Sequence, residues 1–371
     1  MSHIVFAGGV SGSHLFPGLA VAEQLSLDRP DVRTTFCGTG TAFQRNQVFQ
    51  AGFQYQGIPC PSRPDSLRSL WRFYKKKSQG SRLAAEFIQA ENISVVVGLG
   101  DIPSLPMARA AIRAGINLVL LEQNSLPSRA TRTLAPFASH VCLSFPGTQH
   151  ALRTASTSTV TGTPVRNDFQ QRLNLLDQHR QRQLVILGGH DGDCLINHWM
   201  PRALHRLRKL MGDWNVVHQS GPDLESTRLL YREMSLSAEV TPLIKDLPEL
   251  LGESDLVVCR PGGTTLAELA QSGVPAVLFP GSQADGDQQQ ANARYFQRAG
   301  AAISIDSTRL SDRTDEELSE YLLPLVCDET RCQKMAGRMS HLAFPNATRD
   351  VANIISSMLP AVATRPRAQA A

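Results

Sequence analysis

His3-Ile4-Val5-Phe6-Ala7-Gly8-Gly9, an apolar run that opens into two glycines, returns in mid-chain as Gln183-Leu184-Val185-Ile186-Leu187-Gly188-Gly189. Short apolar runs closed by glycine read as buried strands. Outward from the first copy, residues 32–37, 94–98 and 117–121 alternate with helical patterns such as 16–27. Outward from the second, residues 215–218, 255–259 and 275–279 do the same, each followed by Gly or Pro. That rhythm predicts parallel βαβ units. Its restart predicts an α/β protein of two Rossmann-like domains facing a cleft. The first domain is expected over 1–163 and the second over 164–343, with a hinge at Gly162-Thr163-Pro164-Val165-Arg166 before the polar stretch 167–182. A last helical pattern within 344–360 is expected to pack back on the first domain, and 361–371, rich in small residues with Pro and Arg, to be a disordered tail.

Composition narrows the class. A chain of 371 residues exceeds one hydrophobic core, and 42% apolar with 19% charged residues is ordinary for a soluble protein. Lys and Arg number 37 against 33 Asp and Glu, and a formal charge of +4 is too mild to make nucleic acid the main partner. Seven cysteines without a CxxC pair argue against a disulfide framework and a structural zinc site, so a reducing compartment is expected. The N-terminal run lacks the basic leader and length of a signal peptide. No apolar run approaches the ~20 residues of a membrane span, so any membrane contact is expected to be peripheral.

Four segments carry chemistry. Gly8-Gly9-Val10-Ser11-Gly12-Ser13-His14 is a glycine-rich strand-to-helix turn, where a ligand can approach the backbone and helix amides favour negative charge. Ser11, Gly12 and Ser13 are candidate substrate contacts. The order is not GxGxxG, which speaks against a nicotinamide cofactor. His14 stands at the carboxyl edge of the sheet, where ligands bind in this fold class; a structural role is the alternative. In Arg260-Pro261-Gly262-Gly263-Thr264-Thr265-Leu266-Ala267-Glu268 a strand ends, two glycines turn and a helix begins near Thr264. Glu268 falls on the face of Thr264, placed to accept two hydrogen bonds from a ribose diol, while Gly262, Gly263 and Thr264 offer amides to a diphosphate. The plain alternative is a capped helix with a solvated Glu. In the run 285–293, Gln288 and Gln289 present neutral amides that donate and accept, which suits sugar hydroxyls. At the hinge, Pro164 stiffens the backbone and Arg166 can reach an anionic group.

In this order and spacing the four segments resemble the donor-binding frame of MurG-type transferases, which have the GT-B glycosyltransferase fold. The likeness extends through His14-Leu15-Phe16-Pro17-Gly18-Leu19-Ala20-Val21-Ala22, Leu121-Glu122-Gln123-Asn124 (the family's HEQN), Gly188-Gly189 (its GGSQGA loop), His218-Gln219-Ser220-Gly221 (its HQSG) and Pro345-Asn346-Ala347-Thr348. The resemblance implies inverting transfer of N-acetylglucosamine from UDP-N-acetylglucosamine to the muramyl sugar of an undecaprenyl-pyrophosphoryl-muramyl-pentapeptide, lipid I to lipid II. It implies a peripheral protein on the cytoplasmic face of the inner membrane that serves cell-wall synthesis, shape and division without cofactor or metal. It also implies that Arg260 to Glu268 holds UDP, with Glu268 on the ribose, Ile244 against the uracil, Gln288 and Gln289 on the sugar, and His190 in a substrate-binding loop. Departures gather on the glycine loops and acceptor side. Val10 and Ser13 replace glycines of GGGTGGH, Leu121 replaces the histidine of HEQN, Gly100-Asp101-Ile102-Pro103-Ser104-Leu105-Pro106 stands for GGYVSGP, and His190-Asp191-Gly192-Asp193 for SQGA. They narrow the space for a pyrophosphate and remove acceptor-side hydrogen bonds. Two competing readings are an isomerase like UDP-N-acetylglucosamine 2-epimerase and a non-catalytic UDP-sugar-binding protein.

Inversion needs a base to take the acceptor hydroxyl proton as that oxygen attacks the anomeric carbon and UDP leaves on the opposite face. His14 is the candidate, Asp101 the second choice, and Glu122 or Asn124 would orient substrate or imidazole. Helix-terminal amides around Gly262 to Thr264, with Arg166, would meet the leaving-group charge. Leu67, Leu70, Trp71 and Tyr74 recur at helical spacing, with Phe73 beside them and Arg68, Arg72, Lys75, Lys76 and Lys77 around them. That is the pattern of a patch for an anionic membrane surface; a stripe packed on its own domain is the alternative.

Overall fold

Both copies of the opening run become central strands of all-parallel sheets. The computed structural model describes residues 2–61, 67–152, 157–166, 168–169, 181–188, 194–281, 286–305 and 314–360, so the tail expected over 361–371 lies outside it. Among the described residues the first sheet holds β1 (His3–Ala7), β2 (Arg33–Gly38), β3 (Gln54–Gly57), β4 (Ile93–Gly98), β5 (Asn117–Glu122), β6 (His140–Leu143) and β7 (Ser158–Val160), with helices α1 (Gly12–Asp28), α2 (Ala42–Gln50), α3 (Leu67–Ala90), α4 (Leu105–Arg113), α5 (Arg129–Leu134) and α6 (Thr148–Leu152). The second holds β8 (Arg182–Leu187), β9 (Trp214–Gln219), β10 (Glu239–Thr241), β11 (Leu256–Cys259), β12 (Ala276–Leu278) and β13 (Ala302–Ser304), with α7 (Cys194–Arg206), α8 (Leu224–Glu233), α9 (Leu247–Gly252), α10 (Gly263–Ser272), α11 (Gly286–Arg298), α12 (Thr314–Cys327) and α13 (Glu329–Ser340). A final helix, α14 (Ala347–Ser357), follows.

Helices on both faces leave no water side, so the central strands are apolar throughout instead of alternating. All five residues of β1 are buried, and Val95, Val96 and Val97 of β4 are each 0% exposed. The strand orders are β3-β2-β1-β4-β5-β6-β7 and β10-β9-β8-β11-β12-β13. Each order reverses beside its first strand, between β1 and β4 and between β8 and β11. There successive connections leave toward opposite faces and open a crevice at the carboxyl ends of the strands.

Two helix starts shape what lines those crevices. α1 begins at Gly12, a turn ahead of its apolar pattern, and carries Pro17 inside it. Proline has no amide hydrogen, so the carbonyl of Ser13, four residues earlier, lacks its usual helical donor. α10 begins at Gly263 and stops where Gly273 takes a left-handed φ of 68°. The last described segment returns to the first sheet: Val351, Ala352, Ile355 and Leu359 join the core of Ile4, Phe6, Leu15 and Val21, and Thr348 Oγ1 donates to Val165 O at 2.8 Å.

Candidate active site

At the first crevice, Gly8 and Gly9 hold φ of 111° and 80°, which L side chains rarely adopt. The turn is pinned on one side by Gly8 N donating to Cys37 O at 2.8 Å and Gln44 Nε2 donating to Gly8 O at 3.2 Å. On the other side Asp101 Oδ2 accepts from Gly9 N at 2.8 Å and Val10 N at 3.0 Å. A side chain on Gly8 would collide with Asp101 Oδ1, which is buried with no partner among the described residues. His14, on the first turn of α1, has Nδ1 3.0 Å from Ser11 Oγ, and Ser11 Oγ lies 2.8 Å from Ser13 Oγ. Its ring packs beside Gly100, whose α-carbon has no room for a side chain between Leu121 O and Gln123 Oε1. In the tautomer whose Nδ1–H donates to Ser11 Oγ, Nε2 is the proton acceptor; in the other, Ser11 donates to Nδ1 and Nε2 carries the hydrogen.

Glu122, at the end of β5, is 1% exposed and serves its own loop. Oε1 accepts from Asn124 N and Nδ2 at 3.0 and 3.2 Å, and Oε2 from Ser128 N at 2.8 Å. Burial raises its pKa, and hydrogen bonds with Thr131, Ser128 and Asn124 oppose the rise. The loop so held reaches the second half. Asn292 Nδ2 donates to Asn124 Oδ1 at 3.0 Å, Ser125 N donates to Asn292 Oδ1 at 2.8 Å, and Gln288 Nε2 donates to Leu126 O at 3.0 Å.

At the second crevice, Gly263 lies against Gln123 O so closely that a side chain would strike that carbonyl. Thr264 Oγ1 donates to Ser13 O at 2.5 Å, the carbonyl that Pro17 leaves without a helical donor. One turn on, Glu268 is 6% exposed, and burial pushes its carboxyl up to about 7 against the pull of Arg166. The Arg166 guanidinium stands 5.4 Å from the rings of both Phe16 and Phe169, and its Nε is buried without a partner among the described residues. Gln289 Oε1 accepts from Gly281 N at 2.8 Å.

The structure therefore gathers Ser11, Gly12, Ser13, His14, Asp101, Glu122, Asn124, Arg166, Gly262, Gly263, Thr264, Glu268 and Gln288 around facing crevices. Arg260 turns toward the end of β12, donating from Nη1 to Phe279 O at 3.3 Å. Ile244 lines a groove of about 380 Å³ beside edge strand β10 with Val217, Thr241 and Leu243, its amide donating to Gln219 Oε1 at 2.9 Å. His190 lies outside the described residues. On α3, Trp71 and Tyr74 are 68% and 61% exposed, Lys75, Lys76 and Lys77 are exposed, Phe73 is half-buried, and the side chains of Leu67 and Leu70 lie outside the description. Asn292, Gln123 and Pro17 carry contacts that sequence reasoning did not single out. Each stands inside a stretch quoted from the sequence, Pro17 within a helical pattern, Gln123 beside Glu122 and Asn292 in the run 285–293.

Residues 4–143 match the Glycosyltransferase family 28 N-terminal domain and residues 183–352 its C-terminal domain. Over 96% of this chain and 99% of the relative, the sequence is 35% identical to the UDP-N-acetylglucosamine--N-acetylmuramyl-(pentapeptide) pyrophosphoryl-undecaprenol N-acetylglucosamine transferase of Chlorobaculum parvum. The protein of the same name from Pseudomonas entomophila is 33% identical, with 95% and 96% covered. Among solved structures, Acinetobacter baumannii MurG superposes with a TM-score of 0.75 at 26% identity, covering 96% of this chain and all 100% of that one. A UDP-N-acetylglucosamine 2-epimerase from Listeria monocytogenes reaches a TM-score of 0.68 at 16% identity, covering 96% of each, which is a likeness of fold.

Proposed function

The chain belongs to the MurG family of glycosyltransferase family 28, and from that premise we propose that it transfers N-acetylglucosamine from UDP-N-acetylglucosamine to the muramyl sugar of a lipid-linked peptidoglycan precursor. The observation that carries the reading is the opposition of the two crevices, His14 on one side and the buried Glu268 on the other, in a chain alike from end to end to named transferases. Full-length identity to transferases, not the two-faced cleft, separates this reading from an isomerase, since the 2-epimerase shares the fold at only 16% identity.

In this reading 164–343 holds the donor and 1–163 the acceptor. Glu268 accepts from the ribose hydroxyls, the amides of Gly262 to Thr264 and the Arg166 guanidinium meet the diphosphate, and Ile244 bounds the uracil. Gln288 and Gln289 turn their amides to the sugar as the donor replaces their present partners. His14 Nε2 takes the acceptor proton, relayed in orientation by Ser11, while Glu122 and Asn124 hold the loop that faces it. The acceptor is a lipid, so the protein works at a membrane surface, the cytoplasmic face of the inner membrane, with exposed Trp71 and Tyr74 at the interface and Lys75 to Lys77 on anionic headgroups. No helix among the described residues is long and apolar enough to cross a membrane.

The test is transfer of labelled N-acetylglucosamine to the pyrophosphoryl-muramyl-pentapeptide lipid. We expect label in the lipid with the wild type, and a loss of about 10²–10⁴-fold in kcat for His14→Ala with the donor still bound. A protein that binds UDP-N-acetylglucosamine by calorimetry yet moves no label to the lipid sinks the proposed reaction. Full activity of His14→Ala removes His14 as the base.

A further inference from the structure

We infer that Asp101 determines specificity on the acceptor side, its carboxylate being a built-in occupant of the anion seat at the glycine turn that an acceptor phosphate must displace. Successive backbone amides at a glycine turn leading into a helix form a concave, positive seat for an anion. Here the amides of Gly9 and Val10 converge on one atom, Asp101 Oδ2, at 2.8 and 3.0 Å. The seat is therefore filled by the chain's own negative charge, brought from a loop 92 residues away in sequence.

The placement is built rather than incidental. Gly100, at φ of 90°, sets the direction of the loop, and Asp101 O accepts from both the amide and the hydroxyl of Ser104, at 3.1 and 2.5 Å. The other carboxylate oxygen, Oδ1, is buried against Gly8 with no partner among the described residues, an arrangement that carries a desolvation cost. A solvated surface aspartate would not accept that cost without the compensating amides. The same geometry disfavours Asp101 as the base: Oδ2 is held by two donors and Oδ1 faces inward, so neither is presented to a substrate hydroxyl.

Two like charges cannot share one pair of amides. A pyrophosphoryl acceptor, which this chain takes on the function proposed above, must either push the Asp101 carboxylate aside or place its phosphates away from the turn. Deleting the carboxylate vacates the seat, and neutralising it leaves an occupant without the opposing charge.

Inorganic pyrophosphate is the probe. It is titrated by calorimetry into the wild type, Asp101→Asn and Asp101→Gly, each with UDP present to fill the donor side and each checked for folding by its thermal transition. Asn keeps the shape and one amide acceptor without the charge; Gly empties the seat, so a folding failure of either leaves the other to be read. We expect both variants to bind pyrophosphate at least about tenfold more tightly than the wild type, and the KM for the pyrophosphoryl lipid to fall in step. Equal pyrophosphate affinity in the wild type and the folded variants overturns the inference. The titration requires no turnover, so a wild type that transfers no sugar counts against the proposed function and leaves this result standing.

Discussion

Two buried titratable residues link the fold to pH in opposite directions. Glu268 has its carboxyl pushed up to about 7, whereas the unfolded chain returns it to an ordinary value near 4.5. Between those values the unfolded state holds fewer protons, so the protonated side chain supports the fold below about 4.5 and that support is lost as pH rises through about 7. At about 1.4 kcal/mol per unit, denaturant unfolding should show Glu268→Gln gaining roughly 2–3 kcal/mol relative to the wild type between pH 5 and pH 8. A pH-independent difference would place the cost elsewhere. The same ionisation frees both carboxylate oxygens to accept, so UDP affinity measured by calorimetry should rise over that interval in the wild type and stay flat in the variant. His218 runs the other way. Its ring is 0% exposed between Tyr231 OH at 2.9 Å and Asn197 Oδ1 at 3.0 Å, and burial lowers it to about 3. Below 6.5 the unfolded chain takes up the proton that the folded protein refuses, so acid removes stability at a slope approaching about 1.4 kcal/mol per pH unit from this residue alone. His218→Gln should be less stable at neutral pH yet flatter between pH 6 and 4, which urea melts at the two pH values would reveal.

Among elements, α3 divides its work along its length. Leu83, Ala84, Phe87 and Ile88 in its second half pack into the core beside α4, while Trp71, Tyr74 and the lysine run stand out from the first half, with Lys75 Nζ 5.1 Å from the Trp71 ring centre. Replacing Lys75, Lys76 and Lys77 by Glu should abolish co-sedimentation with vesicles rich in anionic lipid and leave the melting temperature within a few degrees, since these side chains are exposed; binding that survives removes the patch. The elements also show what could be read beforehand. β1, β4, β5, β8 and β11 were legible because burial on both faces writes an unbroken apolar run. β3, Gln54-Tyr55-Gln56-Gly57, was not, because a sheet-edge strand needs no apolar pattern, and β7, β10 and β13 are likewise short edge strands. Within the site, glycine turns and the segment running to Glu268 announced themselves by local composition. The roles of Asp101 and Asn292 did not, since each depends on a partner 92 or 168 residues away that the strand order brings near.

In the whole molecule the halves are closed on each other. Gly263 lies against Gln123 O, and Asn292 bonds both to Asn124 and Ser125 of the first half and to Pro261 of its own. We expect the halves to part as substrates enter and to close around them during transfer. Gly263→Ala would set a methyl against Gln123 O and hold the cleft ajar. We expect a larger radius of gyration by small-angle scattering and a transfer rate at least about tenfold lower, with UDP affinity changed much less because the backbone amide survives. An unaltered rate would show that this contact is not made during catalysis. The proline inside α1 adds a condition of its own. When the halves part, Ser13 O loses Thr264 and, because Pro17 has no hydrogen to offer, nothing in its own helix replaces it, so a water molecule must move in. Each closing stroke expels that water, and osmolytes that lower water activity should draw the protein toward its closed form.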